Sequence, residues 1–117
     1  MTTETLEALE AAHLSTVRAR MGIVVTAHDA EISSLIGSAV LDMIRAGVPE
    51  SIFTAEDLDP LVLLAVVYYV RSYFGDDRTD TDKNMGLYRK IQWKLQTEDG
   101  GAWDVEDNSD DSGNQNG

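Results

Sequence analysis

Ten consecutive residues, Leu61 to Val70, are apolar or aromatic, and no other stretch of this 117-residue chain approaches that density. Such a run has to leave water, so the rest of the chain must be arranged to cover it. Its β-branched residues (Val62, Val66, Val67, Val70) would suit a buried strand as well as a helix, and periodicity alone does not decide between the two. The flanks do. Asp59 is placed to accept a hydrogen bond from first-turn amides, Pro60 to occupy the first helical position, Arg71 to face the negative end of the dipole, and Gly75 to take a left-handed closing conformation. The expectation is a buried central helix, Pro60 to Phe74, a rod of about 22 Å. The run is half the roughly 20 residues a bilayer-spanning helix requires. Met1 to Ala12 also lacks a basic segment followed by an apolar one, so a soluble protein with no membrane partner is expected.

Two amphipathic segments precede this element. In Thr3 to Met21, residues Leu6, Leu9, Leu14, Val17 and Met21 fall on about a third of a helical circumference, and Gly22 ends the pattern. Ser15 is a possible local cap, which leaves open one long helix or two short ones. The second segment is cleaner: Ile32, Leu35, Ile36, Ala39, Val40, Met43 and Ile44 form one apolar stripe. Thr26 with Asp29 resembles a capping box at its start, and Gly47 with Pro49 closes it. Glu31, Ser34, Ser38, Asp42 and Arg45 make the opposite, polar face. In the loop Val48 to Asp57, Ile52 and Phe53 are apolar enough to fold back on the core, or to anchor a partner. A last helix is expected from Asp82 to about Thr97, with Leu87, Tyr88, Ile91 and Leu95 on one face.

Charge is unevenly distributed. Residues 1–97 hold fourteen acidic and nine basic side chains, whereas 98–117 holds seven acidic and none basic. Neither part has the basic footprint that phosphate contacts need, and the candidate helix-turn-helix segments carry only Arg45 and Arg71 respectively, so DNA or RNA recognition is not expected. No cysteine is present, which removes disulfides, thiolate metal sites and a Cys nucleophile. His13 and His28 lack partners at zinc-site spacing. The oxygen-rich run Asp80-Thr-Asp-Lys-Asn-Met-Gly86 imitates a calcium loop but puts Met85 where glycine is required and Ile91 where the bidentate Glu belongs. No phosphate loop or nucleophile elbow appears, and the expectation is a non-enzyme with no catalytic residue, metal or cofactor.

The functional candidates are contact points. Trp93 lies some 120° or more from the apolar stripe of the last helix, so either a partner or the chain's own tail should cover it. Beyond Glu98, an acidic flexible tail is expected, interrupted by Trp103 and Val105, whose alternating apolar and acidic neighbours suit an added strand or a docked peptide. The serine face of the second helix, Ser34 and Ser38, is ordinary for solvent but would also admit a close neighbour. The acidic link carrying Asp76, Asp77, Arg78 and Asp80 completes the candidate interface.

The order of these segments is familiar. Met21-Gly-Ile23, Asp29-Ala-Glu-Ile-Ser-Ser-Leu-Ile-Gly-Ser-Ala39, Ala46-Gly-Val48, Asp59-Pro60, Ala65-Val-Val-Tyr-Tyr-Val-Arg-Ser-Tyr-Phe-Gly75 and a final Tyr88 to Leu95 helix follow one another in a way that resembles the head-to-tail connector (head-completion adaptor) proteins of tailed bacteriophages. The likeness covers roughly residues 14 to 97 and consists of packing and capping residues. It implies a virion structural protein whose copies form a homo-oligomeric ring under the capsid portal, and it is compatible with a subunit that is monomeric when alone. Such a ring extends the DNA channel, lets duplex DNA pass without specific binding, and offers a platform to the next head-completion or tail protein. Localisation would be the head-tail connector of the virion, with host cytoplasm during assembly. The other reading of the residues is a small acidic interaction module, DNA-mimic or antitoxin-like, that binds a basic partner. The combined expectation is all-α: a bundle of about four helices in residues 1–97 around Pro60 to Phe74, and an acidic disordered tail at 98–117.

Overall fold

The computed structural model describes residues 1–75 and 79–97, and in them the chain folds as four α-helices with no strand. They are α1 (Thr3–Arg20), α2 (Asp29–Arg45), α3 (Pro60–Tyr73) and α4 (Thr81–Thr97), with a short 3-10 turn at Glu50–Ile52 between α2 and α3. Asp76, Asp77, Arg78, Trp103, Val105 and the expectation of a disordered tail lie outside the described residues.

Helix α1 starts at Thr2, whose side chain accepts from the Thr5 amide at 3.1 Å, and runs without a break through an exposed Ser15. One helix wins over two because the buried face continues across the serine, from Leu9 through His13 to Val17. Gly22, at φ 75°, closes it: the Gly22 amide donates to Ala19 and the Ile23 amide to Arg18, the paired bonds of a Schellman motif. Helix α2 closes in the same manner, with Gly47 at φ 107° donating to Ile44 and Val48 to Met43.

At the start of α2 the expected capping box is absent. The capping position belongs to His28, and Thr26 contributes only its backbone carbonyl, to the Asp29 amide at 3.1 Å. The Asp29 carboxylate is engaged elsewhere, with both oxygens within 2.8 and 2.9 Å of Arg18 Nη1. A charged partner on α1 outcompetes a local hydroxyl because it is worth a stronger, charge-assisted bond and ties two helices together.

Helix α3 begins as its punctuation requires, Asp59 accepting from the Leu61 amide at 2.8 Å with Pro60 behind it. It ends at Tyr73, one residue short of Phe74, which turns extended and meets the His28 ring edge-on at 5.3 Å. Contacts down the chain run α1 on α2, α2 on α3 and α3 on α4, each pair antiparallel, giving an up-down-up-down bundle. The core unites Leu9 and Val17 of α1, the α2 stripe, Val62 to Val70 of α3, and Tyr88 and Leu95 of α4. Leu61, Leu64 and Tyr68 share the one side of α3 that stays half-buried. Phe53, with Val48 and Leu58, is buried in the core and Ile52 packs against it, so the loop residues fold inward. Each large side chain so buried contributes about 1.5–3 kcal/mol.

Candidate docking surfaces

Polar side chains decide how α4 is seated. Asp42 of α2 sits at the edge of the α2–α4 contact rather than on a solvated face as its spacing implied. Its Oδ2 accepts from Tyr88 Oη at 2.6 Å, Gln92 Nε2 at 2.9 Å and Arg89 Nη1 at 3.0 Å. Gln92 also donates to Tyr88 Oη at 3.2 Å and accepts from Arg89 at 2.9 Å, so the buried amide is fully engaged. The Arg89 guanidinium lies 5.3 Å from the Tyr88 ring centre, and Tyr69 of α3 meets that ring edge-on at 5.1 Å. Burial, then the hydrogen bond to Asp42 and its negative charge, push the Tyr88 hydroxyl well above its ordinary pKa, so it is a neutral donor at any physiological pH. Tyr69 is raised as well, first by burial.

This seating sets the orientation of the outer side of α4. Lys83, Lys90 and Lys94, spaced i, i+7, i+11, line up there beside Gly86 and Trp93, all exposed, with Trp93 at 64%. The sequence reading found Trp93 but missed the lysines flanking it, although their spacing was legible. It missed Gln92 as a core residue too; the signal was a polar side chain between Tyr88 and Leu95 on the apolar face.

Across the bundle, α1 presents Glu4, Ala8, Ala11, Ala12 and Ser15 to solvent. Between its first turns and the loop after α2 is a groove of about 440 Å³, lined by Glu4, Thr5, Ala8, Phe53, Thr54, Ala55 and Glu56. Its loop wall is held in place: the His13 Nε2–H donates to the Thr54 carbonyl at 2.8 Å, and the Thr54 hydroxyl donates to the Asp57 carbonyl at 2.6 Å. The N-terminal amine meets Glu50 at 3.0 Å. Farther along α1, Glu10 lies over Gly37 of α2, where a Cβ would run into its carboxylate. Burial and the neighbouring Glu7 raise the Glu10 pKa, against a hydrogen bond with Ser33 that lowers it.

Of the remaining candidates, Ser34 and Ser38 lie exposed on α2, Ser38 one turn before Asp42. Asp80 precedes α4 and lines a smaller cleft of about 190 Å³ with Met21, Arg71, Phe74, Thr81 and Asn84. The calcium-like run is helical from Thr81, with the Asn84 amide donating to the Asp80 carbonyl at 2.9 Å, so its oxygens radiate from a helix rather than converge. Among the described residues no group of three His, Asp or Glu side chains is placed to hold a metal ion, and no helix is long and apolar enough to cross a membrane. The structure therefore brings Trp93 together with the α4 lysines, and places Ser34 and Ser38 on a different helix.

The model of the phage connector protein family matches residues 14–102, about three quarters of the chain, and the protein belongs to that family. It is a family of structural proteins. Neither the curated proteins nor the solved structures provide a significant match.

Proposed function

We propose that this protein is a head-completion adaptor: copies assemble as a ring beneath the capsid portal, extend the DNA channel, and give the next head-completion or tail protein a surface to dock on. The observation that carries the reading is the family match over residues 14–102, on a helical fold. The charge balance supports it. Duplex DNA must slide past a connector, and a folded part that is acidic on balance repels phosphates more than it holds them. The role is non-enzymatic and the working location is the virion, after assembly in the host cytoplasm. Residues 1–97 form the adaptor domain, and 98–117 are an acidic extension whose Trp103 and Val105 dock on a neighbour or on the portal. Trp93, Ser34, Ser38 and the 76–80 link are the surfaces through which subunits and partners meet.

The test is mass measurement of the purified protein with and without portal rings of the source phage, followed by negative-stain imaging of the mixture. A ring of added mass stacked on the portal, and the protein's presence in purified virions, are expected. Absence from virions together with no portal binding would sink the reading. A salt-sensitive one-to-one complex with a basic protein, lost when 98–117 are deleted, would favour a charge-mimicking module instead.

A further inference from the structure

We propose that the ring contact is head-to-tail between two faces of unlike charge: the outer side of the second half of α4, with Trp93, Lys90 and Lys94, seats in the groove between α1 and the 53–56 loop of the next copy. The assignment rests on the ring reading above and adds which surfaces close it.

Three observations converge. The first is charge. Four of the nine basic residues of the chain are on α4, and Lys83, Lys90 and Lys94 line its outer side, whereas the groove is lined by Glu4 of α1 and Glu56 of the loop and by no basic residue. A cationic strip and an anionic groove on one subunit complement each other only between copies, because α1 packs on α2 and α3 while α4 packs on α3 from elsewhere. Second is shape. A half-open groove of about 440 Å³ with Ala8, Phe53 and Ala55 among its walls suits an aromatic anchor, and Trp93 stands out between lysines whose aliphatic stems extend that apolar footprint.

The third is height along the bundle. The N-terminus of α1 and the C-terminus of α2 lie together, as the Met1 to Glu50 pair shows, and the end of α4 lies there too, since a Cβ on Gly47 would sit 3.9 Å from Gln96. Trp93, one turn before Gln96, is therefore at the same end of the bundle as the Glu4–Glu56 groove, on a different side. Knob and groove at one height, facing different ways, are what a pure rotation about an axis along the bundle needs to close a ring.

Because the chain has no cysteine, the contact can be read by paired substitution. Ala8→Cys and Lys90→Cys in one chain, treated with a short bismaleimide while assembled on portal rings, should give a ladder of linked oligomers. Trp93→Ala should weaken self-association about 30-fold, the loss typical of a central aromatic anchor. Lys90→Glu with Lys94→Glu, and Glu4→Lys with Glu56→Lys, should each abolish the ring while leaving the circular dichroism unchanged. Mixed one to one, the two charge-reversed proteins should form it again. Portal-bound rings that yield no ladder, or only dimers, overturn this pairing of faces and leave the adaptor reading standing. Complete failure to self-associate, alone and on the portal, overturns both. Loss of the ladder restored by deleting 98–117 would mean that the chain's own tail, not a second copy, fills the groove, and likewise overturns it.

Discussion

Helices α3 and α4 are neighbours of similar length, fourteen and seventeen residues, yet they are held by different physics. Seven of the fourteen residues of α3 are buried, spread around most of its circumference, so burial of apolar surface is the main force that fixes it between α2 and α4. Helix α4 has one apolar face. Its rotation about its own axis depends on a polar cluster in which one carboxylate, Asp42, holds three donors. A helix wrapped on most sides has little surface left for a partner; one seated by an edge cluster keeps an outer face. The scaffold is α3, and the contact surface is α4.

That contrast breaks most readily at α3. Val66 is fully buried in the hydrophobic core, and Val66→Asp places a carboxylate there, which should cost more than about 4 kcal/mol and leave no cooperative thermal transition by circular dichroism. The same change at Lys90, exposed on α4, should leave the melt unchanged. A folded Val66→Asp would mean that α3 is not the element around which the others pack.

The α4 side yields less. Asp42→Ala leaves the Tyr88 O–H and one Gln92 N–H without their acceptor and should cost about 2–3 kcal/mol in chemical denaturation. Tyr88→Phe removes one donor and leaves Asp42 with Arg89 and Gln92, so about 1–2 kcal/mol is expected. Its pH dependence is a sharper check. The folded Tyr88 pKa is raised above the ordinary 10.0, so its contribution is fully present below pH 10 and is lost as pH rises past that value, when the unfolded chain ionises first. Replacement by Phe should flatten the alkaline limb of the stability curve. An unchanged limb would mean that the phenol is not desolvated at the helix junction.

The same contrast explains what the sequence disclosed. Apolar spacing and caps announce α3: Asp59, Pro60 and the run from Leu61 need only local chemistry to be read, and the α2 stripe is equally plain. What stayed hidden depends on pairs distant in the chain. Asp42 and Tyr88 are forty-six positions apart, and nothing in a linear pattern says that a carboxylate on a polar face will turn toward a tyrosine on another helix. Asp29 was misassigned for the same reason, its partner being Arg18 of α1 rather than Thr26 nearby. Half of the proposed contact was visible in the chain, as Trp93 off the apolar stripe. The groove was not, because it exists only once Phe53 and Thr54 are folded against α1.

The smallest effect is expected at the α1–α2 crossing, where Gly37 lets the Glu10 carboxylate lie against α2 beside Ser33. Its pKa is raised from 4.5 chiefly by burial, so folding favours the protonated acid and the charged form is a small liability. The sign follows: the penalty is complete above the raised folded value, shrinks as pH falls, and vanishes below 4.5, where both states are protonated. Glu10→Gln should therefore stabilise the protein at neutral pH by only a few tenths of a kcal/mol, since solvent still screens this half-buried site. The difference from the parent should disappear in denaturation series carried below pH 4. A loss of stability at pH 7 would show that the Glu10 charge is held by the Ser33 bond more than it is opposed by burial. That outcome would make the α1–α2 crossing a polar clasp of the Asp42 kind rather than a close approach permitted by glycine.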